Sequence, residues 1–304
     1  MSAGAERSLP PPRAEDRRSA DARAETVTDP RFRRLYGWET WVVMAVFPLG
    51  STIAAIGYLL MHVMTGGAAS VENFIIAGEP GVSLGLSLAI VASEFSAALL
   101  VIYLLVRNGE GVGAIGLGGH RLRQDLALIL PVYVGVQYLP QLVGTSIVSG
   151  THLPVFNVSS PALPFAFLAV GLLSSLMAGV VEEIVVLGYL VRRLEQRGWT
   201  SAAVVLVAVL VRVSYHLYYG PGVLPIVLWA TVTVLAYRRI RRLLPFIVCH
   251  FVWDATIEIR HYSPGGAGAF IGIFLVVALV FTLLWARKSP APAAVAAPML
   301  PALS

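Results

Sequence analysis

Eight long apolar runs, separated by short polar connectors, account for most of this chain and limit what it can fold into. A helix needs about 20 apolar residues to cross the hydrocarbon layer of a bilayer, and six of the runs reach or approach that length. The runs cover residues 38–64, 82–106, 126–148, 163–191, 200–218, 223–237, 243–259 and 267–285. The pattern predicts an all-α, polytopic membrane protein with about eight transmembrane helices.

The composition excludes an ordinary soluble domain. Of the 304 residues, 57% are hydrophobic and 13% are charged, whereas about a quarter of the residues in a soluble domain carry a charge. The net charge of +5 comes almost entirely from arginine, and these residues are spread over the N-terminal segment and the short connectors. This argues against a nucleic-acid surface, because such a surface needs a basic patch. The sole cysteine, Cys249, allows neither an internal disulfide nor a cysteine metal cluster.

Connectors that contain arginine alternate along the chain with connectors that carry little or no positive charge. Arginines follow the second, fourth, sixth and eighth runs, whereas the connectors after the first, third and fifth runs carry no Lys or Arg, and the one after the seventh carries only Arg260. The positive-inside rule therefore predicts that both termini are cytosolic. We expect a disordered cytosolic tail over residues 1–36, a membrane domain over 37–288 and a disordered tail over 289–304. This is an integral membrane protein, and we expect it in a bacterial plasma membrane.

Ionisable residues interrupt three of the apolar runs. They are Glu182 and Glu183 in the fourth run, Arg212 and His216 in the fifth, and His250, Asp254 and Glu258 in the seventh. A charged side chain near the middle of a spanning helix costs about 2.5 to 3.5 kcal/mol, so such residues usually face the bundle interior and serve a function. Residues four apart lie on one helix face, so the groups within the fifth run, and those within the seventh, point the same way.

These residue types suit the hydrolysis of an amide by water. A buried carboxylate can act as a general base toward water while imidazoles stabilise the oxyanion. Alternatively, Glu182, His216 and His250 could hold a divalent metal such as zinc, which would activate a bound water. The chain has no His-Glu-x-x-His stretch, and its one lysine, Lys288, follows the last run and cannot serve a Ser/Lys dyad. Helix spacing alone leaves both routes open.

Three short motifs, in this order, resemble a known family. The first is Glu-Glu-x-x-x-Leu at 182–187, the second Arg-x-x-x-His at 212–216 and the third His-x-x-x-Asp at 250–254. They are similar to the patterns Glu-Glu-x-x-x-Arg, Phe-x-x-x-His and His-x-x-x-Asn/Asp of the CAAX-prenyl protease and bacteriocin-processing family of intramembrane glutamic endopeptidases. The family carries them on helices four, five and seven of an eight-helix core, and the resemblance covers residues 163–258.

The resemblance implies a role for each matching residue. Glu182 would be the base that activates water and Glu183 its supporting carboxylate, while His216, His250 and Asp254 would polarise the water and hold the oxyanion. The substrate would be a membrane-associated or C-terminal peptide, and the family includes enzymes that act on prenylated chains. Nothing in the sequence selects a prenylated substrate.

Two positions depart from the family patterns. The arginine of the first motif is replaced by Leu187, and the phenylalanine of the second by Arg212. A buried carboxylate that loses its cation is strongly destabilising, and we therefore expect Arg212 to pair with Glu183 from the facing helix. The missing arginine also leaves open a catalytically inactive membrane scaffold, and buried acids and histidines are found in transporters and proton relays as well.

The depths of the three motifs disagree if all the helices start at the membrane surface. At about 1.5 Å per residue, Glu182 lies about 15 Å from the cytosolic side and His250 about 10 Å, but His216 about 24 Å. The fifth run must therefore start below the surface or be broken. Its tyrosines, Tyr215, Tyr218 and Tyr219, are expected in the aromatic belt at the interface.

Overall fold

A computed structural model describes residues 29–65, 80–118, 121–151 and 166–288, and within these residues the chain is helical with no strand. The all-α prediction is confirmed. The helices are α1 Pro30–Val46, α2 Leu49–Met64, α3 Pro80–Arg107, α4 Leu122–Thr151, α5 Ala166–Glu182 with its continuations Glu183–Val191 and Arg192–Gln196, α6 Ser201–Ser214, α7 Val223–Ile240, α8 Leu244–Tyr262 and α9 Pro264–Lys288. Short 3₁₀ turns lie at Val112–Ile115 and Leu217–Gly222.

Four of the described helices are long and apolar enough to span a membrane, and a fifth span results if α1 and α2 count as one. The four are Leu122–Thr151, Leu168–Gln196, Leu217–Ile240 and Pro264–Arg287. The first run is not one straight helix: α1 and α2 meet at an angle of 46°, with Pro48 at the break. The chain is therefore an integral membrane protein by length and composition, but the count of eight spans and the cytosolic termini remain predictions.

The helix formed by the fifth apolar run is too short to span the membrane, in agreement with the depths of the three motifs, which required this helix to start below the surface or to be broken. Helix α6 has 14 residues and a length of about 21 Å, less than the hydrocarbon thickness of about 30 Å. The predicted span over 200–218 is wrong at its end, because the helix stops at Ser214. Gly220 then adopts φ 57° and ψ −131°, a conformation suited to glycine, and Pro221 has no N–H for a helical bond.

Glycines allow close helix contacts around the middle of the bundle. Helix α8 packs along α5, and a Cβ at Gly179 would lie 2.9 Å from the Ile247 carbonyl oxygen. Helix α4 packs against α7, and a Cβ at Gly144 would lie 2.5 Å from the Pro225 Cα. Contacts this short exclude any larger side chain, so the two glycines set the spacing of the helices that carry the candidate site.

The arginines after the fourth run are more than topology signals, because their side chains are buried partners of acids. Glu110 accepts hydrogen bonds from Arg192 Nε at 2.6 Å and Arg193 Nη1 at 2.5 Å. Burial raises the pKa of the Glu110 carboxyl, but Arg193 and Arg192 more than offset this, so the pKa lies below its usual value. The Arg193 guanidinium, itself fully buried, lies 4.2 Å from the centre of the Tyr36 ring. These contacts tie α1, α5 and the connector after α3 together.

The predicted tails lie mostly outside the described residues, which omit 1–28 and 289–304. The described part corrects one boundary. Helix α1 begins at Pro30, inside the segment 1–36 predicted as a tail, and Asp29 caps it by accepting a hydrogen bond from the Arg31 amide at 2.8 Å. An Asp cap followed by a proline at the first helical position is a strong helix start.

Candidate active site

The two adjacent glutamates lie where helix α5 changes its geometry. Glu182 is the last residue of the α-helical part, and Glu183 begins a π-helical segment that runs to Val191. Only 1% of Glu183 and 7% of Glu182 is exposed. Widened helical turns of this kind are often found at functional sites, and here the widening starts at the acid pair.

Glu183 is held by Arg212 from helix α6, as the sequence predicted. Arg212 Nη1 donates to Glu183 Oε1 at 2.8 Å, and Nη2 donates to Oε2 at 3.0 Å. The two side chains are buried, and Leu187, in the place of the family arginine, packs in the apolar core. The expected pairing from the facing helix is therefore confirmed, and its two parallel bonds have the geometry typical of a strong arginine–carboxylate pair.

The Arg212 guanidinium also lies 4.5 Å from the centre of the Trp229 ring, a residue that the sequence analysis did not single out. Trp229 meets the His250 ring edge-on at 5.1 Å and donates its indole N–H to Gln137 Oε1 at 2.9 Å. Tryptophan over a guanidinium is a favourable cation–π contact. Trp229 thus fixes the positions of Arg212 and His250, the two partners of Glu183. Its only signal in the sequence was the polar indole N–H of a tryptophan inside an apolar run.

His250 bridges two carboxylates. Its Nδ1 lies 2.7 Å from Glu183 Oε1, and its Nε2 lies 3.4 Å from Asp254 Oδ2, one helical turn away. An imidazole that carries two protons donates from both nitrogens and can satisfy both acids. Asp254 is the more accessible of the two acids, with 31% of its side chain exposed against 1% for Glu183. The third motif therefore connects the buried pair to an open space.

Glu182 and His216 form the other half of the cluster. Tyr215 donates its hydroxyl to Glu182 Oε2 at 2.7 Å. His216 Nδ1 lies 2.8 Å from the Arg212 carbonyl oxygen, and because a carbonyl only accepts, this nitrogen carries the proton and a neutral ring keeps the lone pair on Nε2. Glu182 and His216 are close enough to interact electrostatically. Tyr215 is only 5% exposed, so its assignment to an aromatic belt was wrong.

A further intramembrane carboxylate, Glu94 of helix α3, also interacts with the cluster. It accepts a hydrogen bond from Ser51 Oγ at 2.7 Å and interacts electrostatically with Glu182. Glu94 was not predicted from the sequence as a site residue, although a lone acid in the apolar run over 82–106 was a visible signal.

A cavity of about 260 Å³ opens beside the imidazoles. It is lined by Gln137, Gln141, Thr145, Val148, Ser149, His216, Tyr219, Gly222, Pro225, Ile226, Trp229, His250, Trp253, Asp254 and Ile257. Neither glutamate of the first motif is part of this wall. The two histidines and Asp254 therefore stand between the acid pair and the space that a substrate could enter.

The described residues do not fit a metal centre. No group of three or more His, Cys, Asp or Glu side chains is placed to hold a metal ion there. Both nitrogens of His250 face carboxylates, His216 Nδ1 is bonded to a backbone carbonyl, and Glu183 is paired with Arg212. Metal ligation by His250 would require one of its two contacts to a carboxylate to break, whereas His216 could ligate through Nε2 without losing its bond to the backbone.

A serine mechanism gains no support from the Gly-x-Ser-x-Gly stretch at residues 81–85. That sequence can form a nucleophile elbow, which needs a sharp turn between a strand and a helix. Here the stretch lies inside the continuous helix α3.

Comparison with protein families gives one match. Residues 164–256 match the family described as Type II CAAX prenyl endopeptidase Rce1-like. The matched segment contains all three motifs, from the acid pair on α5 to Asp254 on α8. No curated protein and no solved structure matches the chain.

Proposed function

We propose, from the match of residues 164–256 to the type II CAAX prenyl endopeptidase family, that the chain is an intramembrane glutamic endopeptidase. It hydrolyses a peptide bond of a membrane-associated or C-terminal peptide. A water molecule activated by glutamate attacks the scissile carbonyl, and a histidine positioned by an aspartate donates to the oxyanion.

The contacts around each group suggest its role. Glu182 has one oxygen engaged by Tyr215, and we assign the other as the general base toward water. His216 accepts from the same water through Nε2, which keeps its lone pair. His250 lines the cavity, and its Nε2, which lies 3.4 Å from Asp254 Oδ2, is the donor that we assign to the oxyanion once the substrate displaces Asp254. Glu183 is a positioning residue, because its oxygens are already bonded.

One observation supports this function most strongly: the chain of contacts from Arg212 through Glu183 to His250. Arg212 supplies the cation that the first motif lacks, through bonds of 2.8 and 3.0 Å to the two oxygens of Glu183. Glu183 in turn fixes the His250 ring, which would face the oxyanion. The missing arginine was the main reason to consider an inactive scaffold, and a guanidinium from α6 removes that reason. No corresponding observation favours a transporter.

The partners follow from the same proposal. The substrate is a peptide or lipidated peptide that reaches the site within the bilayer, and the protein resides in a bacterial plasma membrane. A chelator separates the glutamic mechanism from the metal alternative, because only a metal-dependent enzyme loses activity on treatment and regains it with zinc.

The test is cleavage of a quenched-fluorescence peptide library by the purified protein in detergent. We expect cleavage by the wild type, none by Glu182→Ala and near-normal cleavage by Glu258→Gln, a change to an acid outside the proposed chemistry. Cleavage by Glu182→Ala at the wild-type rate would contradict the assignment, and a wild type that cleaves nothing would favour the scaffold.

A further inference from the structure

A row of polar side chains runs along one face of helix α4, a helix that carries none of the proposed catalytic groups. Its members are Gln137, Gln141, Thr145 and Ser149, each four residues after the last, and all four line the cavity. We call this row the polar stripe. Exposure increases along it: Gln137 is buried, Gln141 is half-buried, and the last two are exposed. The stripe therefore leads from the deep end of the cavity to its mouth.

The stripe is joined to the catalytic cluster at its deep end. Gln137 lies in a π-helical turn of α4, Tyr133–Tyr138, and its Oε1 accepts the Trp229 indole N–H at 2.9 Å. This bond fixes the orientation of the amide. Within the described residues, no hydrogen bond engages Gln137 Nε2, so its two protons are available to a ligand in the cavity.

The rest of the stripe also keeps its hydrogen-bonding groups free, in contrast to its neighbours on α4. Ser146 Oγ donates to the Leu142 carbonyl at 2.8 Å, and Thr151 Oγ1 donates to the Val148 carbonyl at 2.7 Å. Among the described residues, the side chains of Gln141, Thr145 and Ser149 have no such partner. Ser146 and Thr151 thus bond to their own helix, whereas the polar groups on the stripe face the cavity.

Another part of the cavity wall is apolar. Trp253 and Ile257 of α8 and Pro225 and Ile226 of α7 form this apolar wall. A ligand that fits must present hydrogen-bonding atoms along one edge and apolar groups along another. An extended peptide with apolar side chains has this form, whereas the hydrocarbon tail of a prenyl or acyl group offers no hydrogen-bonding atom.

The spacing of the stripe suits an extended peptide as well. Successive members are about 6 Å apart along the helix axis, and the peptide groups on one edge of an extended strand repeat every second residue, about 6.6 to 6.8 Å. A chain stretched for cleavage in an apolar site leaves its peptide groups without partners, at several kcal/mol each. Side-chain amides and hydroxyls can supply these partners, because each can donate and accept.

We propose that the polar stripe binds the main chain of the substrate peptide in an extended form, with apolar side chains packed toward Trp253 and Ile257. This rests on the proposed function and narrows its substrate class. The stripe recognises the backbone and leaves side-chain selection to the apolar wall. Its residues bind and position the peptide and take no part in the proton transfers.

The test measures binding in an inactive background, so that it does not depend on cleavage. The Glu182→Gln protein in detergent selects peptides from an apolar ten-residue library, and the best-retained peptide is remade with one ester group at each peptide bond in turn. An ester removes the N–H donor and weakens the carbonyl acceptor. We expect about fivefold weaker retention at every second bond across several residues.

Variants of the stripe make the test specific. Gln141→Leu should weaken retention of the parent peptide about fivefold and remove the ester effect at one position. Ser146→Ala, one turn from Leu142 and off the stripe, should change neither. We expect the same two effects from Gln137→Leu. Should that variant misfold, the result for Gln141→Leu alone decides the test.

Any one of three results overturns the proposal: no peptide is retained, the esters have no periodic effect on retention, or the ester pattern is unchanged in Gln141→Leu. A periodic pattern together with absent cleavage would leave the stripe as a peptide-binding site and refute the proteolytic function instead. A periodic pattern together with cleavage that does not depend on Glu182 would refute the glutamic mechanism.

Discussion

Arg212 supplies the positive charge that Leu187 cannot. Its guanidinium bonds both oxygens of Glu183 in a fully buried pair. Removing one member of such a pair leaves an uncompensated charge in the bundle, which is far more costly than replacing both members with neutral groups. The pair is therefore suited to a double-mutant cycle.

We predict that Arg212→Gln and Glu183→Gln each lower the free energy of unfolding by about 3 to 5 kcal/mol. The double variant should lose clearly less stability than the sum of the two single losses. Denaturant unfolding in mixed micelles measures all three. As a control, Arg212→Gln combined with Glu195→Gln should be additive, because Glu195 pairs with Arg238 and Arg241 elsewhere. Additive losses in the Arg212–Glu183 cycle would contradict the coupling.

Tyr215 acts on Glu182 through one hydrogen bond of 2.7 Å. We predict that Tyr215→Phe lowers kcat about tenfold with little change in KM, because a hydrogen bond to a charged group contributes about 1.5 to 3 kcal/mol. Tyr237→Phe is the matched control, since its hydroxyl bonds the Ile115 carbonyl at 3.2 Å instead. An equal effect of the two substitutions on kcat would show that Tyr215 only packs.

At the scale of the elements, the contact between α5 and α8 brings Glu183 to His250. Gly179 lies one turn before Glu183, where a Cβ would be 2.9 Å from the Ile247 carbonyl oxygen and 3.0 Å from the Phe251 amide nitrogen. A methyl group there must push the two helices apart.

We predict that Gly179→Ala costs about 1 to 3 kcal/mol of stability and lowers the cleavage rate, because it overpacks this contact and lengthens the 2.7 Å bond between Glu183 and His250. Gly272→Ala is the control, since a Cβ at Gly272 meets no atom within 4 Å. The measurement compares the unfolding midpoints and the cleavage rates of the two variants with those of the wild type. If Gly179→Ala matched Gly272→Ala in both, the contact would not be tight.

The sequence predicted those parts of the site that depend on local spacing. Helical periodicity placed His216 one turn from Arg212 and Asp254 one turn from His250, and the cost of a buried acid led to the Arg212–Glu183 pair. Periodicity could not predict Trp229, Gln137 or Tyr215 as partners, because contacts between different helices depend on helix rotation. The end of α6 at Ser214 was also missed, since the tyrosines after it continue an apolar pattern.

At the scale of the whole molecule, the acid–arginine contacts around Glu110 connect elements far apart in the chain. Arg192 and Arg193 stabilise the charged form of Glu110, whose pKa is lowered despite burial. A depressed carboxyl pKa contributes stability above the unfolded value of about 4.3, and this stability is lost as the pH falls through the folded pKa.

We therefore predict that Glu110→Gln lowers the unfolding midpoint at pH 7, and that its difference from the wild type shrinks as the pH falls below about 4. Unfolding at a series of pH values in detergent checks this. A difference that stayed constant down to pH 3 would show that the charge of Glu110 does not contribute.

Length and hydropathy identified the membrane character and the helical class of the whole chain, but not the number of spans. A run such as 38–64 is long enough to count as one helix, yet it contains Pro48 and bends by 46°. The positive-inside pattern also has a second physical source here, because Arg192 and Arg193 are buried partners of Glu110 as well as connector charges.

The most direct test of the account is kcat of Glu182→Gln, measured on the best-cleaved library peptide with protein whose unfolding midpoint matches the wild type. The change removes the base and keeps the shape of the side chain. We predict that kcat falls about 10²- to 10⁴-fold, the usual contribution of a general base. A kcat equal to that of the wild type would contradict the assignment of Glu182 and with it the glutamic mechanism.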